Sequence, residues 1–208
     1  MSFKRKKNRS AHPFRWMRTV FLLLLLTAMA FAVLKLGFLL WESRIDTHTF
    51  DREIAIASKK YNVDSRLIRA VIFEESRFRP SARGNAGEIG LMQVLPGGAV
   101  ADYVRLHKKR PMLEVELFQP EVNIDIGTWY LGRALQVWGR YKCATELALC
   151  QYNAGQSRAA AWKPENFDVE DMTENITIDS TRRYVRNIMD RYRRYCEEET
   201  REALKEKK

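Results

Sequence analysis

The chain has 208 residues, 46% hydrophobic and 11% aromatic, which is enough for one packed domain plus an anchor or tail and too apolar for a disordered protein. Its formal charge of +10 would fit a nucleic-acid binder, but Met1–Thr19 holds seven Lys/Arg and no acid and Lys35 adds one more. The rest sets 28 basic residues against 26 acidic ones, and a body so near neutrality excludes nucleic acid as the expected partner.

Residues 1–19 therefore read as a basic segment. Val20–Trp41 follows as an apolar run broken only by Thr27 and Lys35. As a helix it can cross a hydrocarbon core of about 30 Å, with Trp16 and Trp41 placed as interfacial anchors. The basic flank places residues 1–19 in the cytoplasm, 20–41 in the membrane as a signal anchor, and everything after about residue 42 outside. A cleaved signal peptide competes, since Ala28-Met29-Ala30 has the small-x-small form of a cleavage site. The apolar run continues well past Ala30, which favours the anchor. Residues 42–53 read as a linker.

From there the pattern is helical throughout. Thr49 or Asp51 can cap a helix through Tyr61 with Ile54, Ile56 and Ala57 on its apolar side. Asp64 can cap the next, where Leu67, Ile68, Val71 and Ile72 recur at helical spacing until Pro80 ends it. Further helices are expected over 96–107, 121–138, 145–153 and 157–163, each closed by a nearby Gly or Pro or by a loss of periodicity. A long last helix from Asp179 or Ser180 carries Tyr184, Val185, Ile188, Met189 and Tyr192 on one face. Residues 165–178 are the longest irregular connection expected. No strand-like alternation and no repeat appears, so the fold class is all-α. Trp129, Tyr130 and Leu131 are expected to pack against the helix bearing Ile68 and Ile72.

Three cysteines, Cys143, Cys150 and Cys196, allow at most one internal disulfide. Cys143 and Cys150 on one helix stand about 10 Å apart, too far to bridge, which leaves Cys143–Cys196 as an unsupported alternative. His12, His48 and His107 are scattered and match no metal-site spacing, and no cofactor is expected.

The stretch EESRFRPSARGNAGEIGLMQ, Glu74–Gln93, places two carboxylates at the end of an apolar helix before a glycine-rich return. A glutamate beside buried surface is desolvated, its pKa rises, and it can serve as a general acid near neutral pH. Periodicity does not choose between Glu74 and Glu75. Asp102, Glu88 and Glu114 are the other acids nearby, and none carries a motif that nominates it as a second catalytic group.

The order Glu75-Ser76-x-Phe78-x-Pro80, Gly87-x-x-Gly90-Leu91-Met92-Gln93, Asn123-x-x-x-Gly127-x-x-Tyr130-Leu131, Tyr152-Asn153-Ala154-Gly155 and Thr181-Arg182-x-Tyr184-Val185 resembles the lytic transglycosylase domain of the soluble lytic transglycosylase type, related to goose-type lysozyme. The resemblance implies a lysozyme-like domain over 54–195, followed by a charged tail over 196–208. It implies Glu75 as the catalytic acid and Glu74 as its solvated neighbour. Ser76, Met92, Gln93, Tyr152, Asn153 and Tyr184 are implied substrate-groove residues, Tyr184 by a hydroxyl near the glutamate. The partners implied are peptidoglycan glycan strands, the bacterial inner membrane through the anchor, and a cell-envelope protein complex, with the domain in the periplasm.

The chain departs from that pattern at Ser180, where Glu is usual, at Thr177, where Pro is common, and at Cys150 and Gln151, where small residues are usual. The chemistry implied is single-carboxyl cleavage of the bond between N-acetylmuramic acid and N-acetylglucosamine, leaving a 1,6-anhydro end. A lysozyme-type hydrolase of the same fold and a non-catalytic peptidoglycan-binding scaffold are the alternatives.

Overall fold

The computed structural model describes residues 12–42 and 45–206. They form two compact units, divided between Asp46 and Thr47.

The first unit is helix α1, His12–Glu42. Its side chains from Trp16 to Gly37 face outward, Val20 alone being half-buried, and Trp16 is 70% exposed. Over Trp16–Gly37 the helix is long and apolar enough to cross a membrane, and none of that stretch is buried among the described residues. Residues 1–11, with most of the basic cluster, and the side chain of Trp41 lie outside the described residues.

The second unit is helical, and its only strand-like pairings among the described residues are the isolated bridges Arg83–Ile89 and Ile89–Val94. Helix α2, Asp51–Tyr61, begins inside the stretch read as linker. Neither Thr49 nor Asp51 caps it: Phe50 holds that position without a side-chain bond. Ile54 and Ala57 are buried, but Ile56 is 57% exposed. Residues two apart on a helix point away from each other, so Ile54 and Ile56 cannot share a face.

Helix α3, Ser65–Ser76, is capped as expected, with Asp64 accepting from the Arg66 N–H at 2.8 Å. It ends before Pro80 is reached, because Arg77 (φ 51°) and Phe78 (φ 59°) both turn left-handed. Leu67, Ile68, Ala70, Val71, Ile72 and Phe73 are all buried, which makes α3 the central helix.

A wide turn over Pro96–Val100, non-helical at Gly98, leads into α4, Ala101–Leu106. Then come α5, Pro120–Trp138, α6, Ala144–Ala154, and α7, Gln156–Trp162. The last helix, α8, Asp179–Glu206, runs on through the residues read as a tail.

Helix α3 packs on α8 and α2, and α5 on α2 and α6. Trp129 of α5 meets the rings of Tyr103, at 5.2 Å, and His107, at 5.4 Å, on the α4 side. The longest irregular connection is 77–95, not 165–178, which is interrupted by a short helical turn at Thr173–Asn175. All three cysteines are free thiols. Cys143 and Cys150 are fully buried, and burial pushes the Cys150 thiol up to about 12.

Candidate active site

Glu75 lies in the last turn of α3, where the left-handed pair Arg77–Phe78 turns the chain away and leaves the carboxyl at a helix end. Helix α8, packed along α3, brings the Tyr184 hydroxyl to it, and this O–H donates to Glu75 Oε1 at 2.6 Å. Burial raises the Glu75 carboxyl to about 7; the Tyr184 hydrogen bond opposes that rise, and the charges of Glu74 and Glu88 add to it. Glu74 points elsewhere, accepting from Asn187 Nδ2 at 2.9 Å on the exposed side of the α3–α8 contact. The two neighbouring glutamates, alike in sequence pattern, thus occupy different surroundings.

The return loop after α3 is closed on itself and bolted to three helices. Ile89 and Val94 exchange backbone hydrogen bonds at 3.1 and 3.0 Å. Asn123 of α5, fully buried, accepts from the Met92 N–H at 2.7 Å and donates to the Ile89 and Leu117 carbonyls at 2.8 and 2.7 Å. Gly90 (φ 79°) passes so close that a Cβ there would stand 2.3 Å from Asn123 Nδ2. From α3, the Ser76 hydroxyl donates to Leu91 O at 2.8 Å, and from α6 the Tyr152 hydroxyl donates to Met92 O at 2.8 Å.

These bonds decide which expected groove residues meet solvent. Gln93, Tyr152 and Asn153 line one cavity of about 230 Å³, together with Glu88, Tyr130 and Gln151. Gln93 is held in a left-handed backbone conformation (φ 46°) by the loop, with Nε2 donating to Gly90 O at 2.8 Å. Asn153 Oδ1 accepts from Thr181 at 2.8 Å, so α6 and α8 are tied at the cavity edge.

Ser76 and Met92 are placed differently from expectation. Ser76 is 1% exposed with its hydroxyl turned to backbone carbonyls, and Met92 is fully buried against Gly127, where a Cβ would lie 2.6 Å from its sulfur. Both hold the wall from behind rather than forming it. Tyr184 meets Glu75 as the resemblance implies.

Three of the departures also find a place. Gln151 accepts from Trp138 Nε1 at 2.9 Å, and Thr177 accepts from Trp162 Nε1 at 3.0 Å. Ser180 is exposed, and Asp179 pairs with Arg182 at 3.3 Å, so Thr181 rather than either neighbour reaches the site.

Glu88, passed over in the sequence, lines the cavity and acts electrostatically on Glu75. Of the other two acids weighed with it, Asp102 pairs with Arg105 and Glu114 with Arg83. A larger apolar cavity of about 440 Å³, bounded by Val100, Val104, Pro111, Met112 and Leu117, includes the ion-paired Glu114 and none of the groups around Glu75.

A family described as the transglycosylase SLT domain matches residues 52–175, which takes in every expected site residue except Tyr184. Membrane-bound lytic murein transglycosylase E of Buchnera aphidicola subsp. Acyrthosiphon pisum is 44% identical over 80 residues, 38% of this chain and 36% of that protein. The soluble lytic murein transglycosylase of Escherichia coli K12 is 33% identical over 131 residues, 61% of this chain and 20% of that protein.

Among solved structures, an inactive mutant of lytic transglycosylase Slt from Pseudomonas aeruginosa superposes with a TM-score of 0.66 at 27% identity, covering 76% of this chain and 25% of the other. The 70 kDa soluble lytic transglycosylase of Escherichia coli gives 0.64 at 27% identity, covering 75% and 26%. The chain thus spans little more than a third of the first of these curated relatives and a fifth of the second.

Proposed function

The chain belongs to the transglycosylase SLT domain family, and from that premise we propose that it is a membrane-anchored peptidoglycan lytic transglycosylase with Glu75 as its single acid–base group. The observation that carries the reading is the Glu75 carboxyl, raised to about 7 by burial and held at 2.6 Å by Tyr184. Near neutral pH a large share of it is protonated, as a general acid requires, and its conjugate base is strong enough to take the proton back.

In the reaction Glu75 protonates the oxygen between N-acetylmuramic acid and N-acetylglucosamine. The 2-acetamido group assists departure. The muramoyl 6-hydroxyl then adds to the anomeric carbon as its proton passes to Glu75, closing a 1,6-anhydro ring and restoring the acid. Gln93, Tyr152 and Asn153 contact the glycan along the cavity, and Tyr184 orients the carboxyl. Helix α1 holds the protein in a bacterial inner membrane, with the second unit in the periplasm.

The full-length protein in detergent, given purified peptidoglycan, should release muropeptides one water lighter than hydrolytic products. Glu75→Gln should lower turnover by about 10²-fold or more while leaving glycan binding intact, and Glu74→Gln should be mild. Reducing ends from the wild type would make it a lysozyme-type hydrolase, and no product would make it a binding scaffold.

A further inference from the structure

Glu88 differs from the acids around it in how it is held. Its Oε2 accepts from the Ala86 N–H at 3.0 Å, and no ion pair among the described residues reaches it. The carboxylate lies over Gly84, where a Cβ would stand 2.1 Å from Oε2 and 2.9 Å from Gln93 Oε1. A side chain at Gly84 would push the carboxylate out of its seat. Seated there, Glu88 faces the cavity it shares with Gln93, Tyr130, Tyr152 and Asn153. A carboxylate held in a cleft by a backbone N–H, with no cation beside it among the described residues, offers its charge to whatever binds there.

Breaking a glycosidic bond supplies a charge to meet it, because positive charge grows on the anomeric carbon and ring oxygen as the leaving oxygen departs. Resting on the activity proposed above, we propose that Glu88 is a second carboxylate of the cleft, contacting the bound glycan and stabilising the positive charge on the sugar as the bond opens. The contribution is electrostatic. No bond to Glu88 forms, the leaving oxygen takes its proton from Glu75, and the 6-hydroxyl returns one to Glu75. Preorganised charge aimed at a charge that develops in the transition state lowers the barrier without tightening the ground state to the same degree.

The groups that set the Glu75 titration are few. Glu74 lies beside it on α3, Tyr184 faces it from α8 and Glu88 acts from the loop, while the Glu75 charge in turn acts on Tyr152 of α6. Helix α2, also packed on α3, keeps Arg52, Lys59 and Lys60 exposed. Glu74 is engaged by Asn187 outside, which leaves Glu88 as the neighbouring carboxylate that lines the cavity.

The test compares full-length wild type, Glu88→Gln and Glu88→Asp on purified peptidoglycan. Glu88→Gln should lower kcat by about 10²-fold with KM changed less than about threefold. The alkaline limb of its pH profile should move to lower pH, because loss of a nearby negative charge lets Glu75 ionise sooner. Glu88→Asp should recover part of kcat. Unchanged kcat and an unmoved limb in Glu88→Gln overturn the proposal.

A second readout needs no turnover. A cationic imino analogue of N-acetylmuramic acid should bind Glu75→Gln at least tenfold more tightly than the Glu75→Gln/Glu88→Gln double variant. Equal affinity, including no binding to either, overturns the role of Glu88. An inactive wild type overturns the proposed activity instead, and the two failures are thereby told apart.

Discussion

At Glu75 burial pushes the carboxyl up while the Tyr184 hydroxyl, donating at 2.6 Å, pulls it down. Tyr184→Phe removes the stabilising donor and leaves the apolar ring. The carboxyl should then ionise at higher pH, so the alkaline limb of activity moves upward, opposite in sign to Glu88→Gln, while kcat falls about tenfold as the carboxyl loses its orientation. A pH–rate series on the two variants checks both signs, and a downward movement in Tyr184→Phe would refute this account of the site. How legible such residues were depends on where their partners come from. Glu75 stood out because it sits at a helix end inside an ordered motif. Ser76 and Met92 were misplaced because the Leu91 carbonyl and the notch at Gly127 that bury them belong to distant segments. Glu88 was missed because nothing local marks it; only the folded loop turns it over Gly84 and into the cavity.

Among the elements, the loop 77–95 owes its shape to α5 more than to its own turns, through the two bonds that Asn123 makes to Met92 and Ile89 while a third ties it to Leu117. Asn123→Ala leaves a buried N–H and two buried carbonyls without that partner and should destabilise the protein by on the order of 3 kcal/mol, read as a lower midpoint in thermal or denaturant unfolding. Because Met92 O is also the acceptor for Tyr152, turnover should fall even where the variant is fully folded. Asn123→Asp keeps the acceptor for the Met92 N–H and should lie between the two; an unchanged midpoint in Asn123→Ala would show that the loop holds itself. Helix positions were readable where the signal was local: the Asp64 cap and the starts of α5 and α8 lay within a residue of expectation. The early end of α3 was not, since Arg77 and Phe78 carry no glycine to announce a left-handed turn. Nor was the approach of Tyr103 and His107 to Trp129, because an apolar stripe says that a face is buried but not which rings meet it.

For the whole molecule, the two units pose different problems in water. The second buries its apolar side chains in a helical core, whereas α1 leaves Phe21, Leu22, Leu24, Phe31 and Leu34 each more than half exposed. An uncovered helix of that kind is stable only where apolar surface carries no penalty, so α1 should partition the full chain into membranes. Released protein and a mature N-terminus at Phe31 would instead make Ala28-Met29-Ala30 a cleavage site. Under the topology proposed above, the basic residues before Val20 should set the direction of insertion, since Lys and Arg flanking a span are retained on the cytoplasmic side. Full-length protein expressed in a bacterium should sediment with membranes, resist alkaline carbonate, and keep its amino terminus. Protease added to spheroplasts should digest the part beyond residue 45 while sparing the first eighteen residues. Replacing Lys4, Arg5, Lys6, Lys7 and Arg9 with acidic residues weakens that retention and should lower the protease-accessible fraction. A wild type resistant to protease in intact spheroplasts would reverse the orientation and separate the second unit from any peptidoglycan substrate.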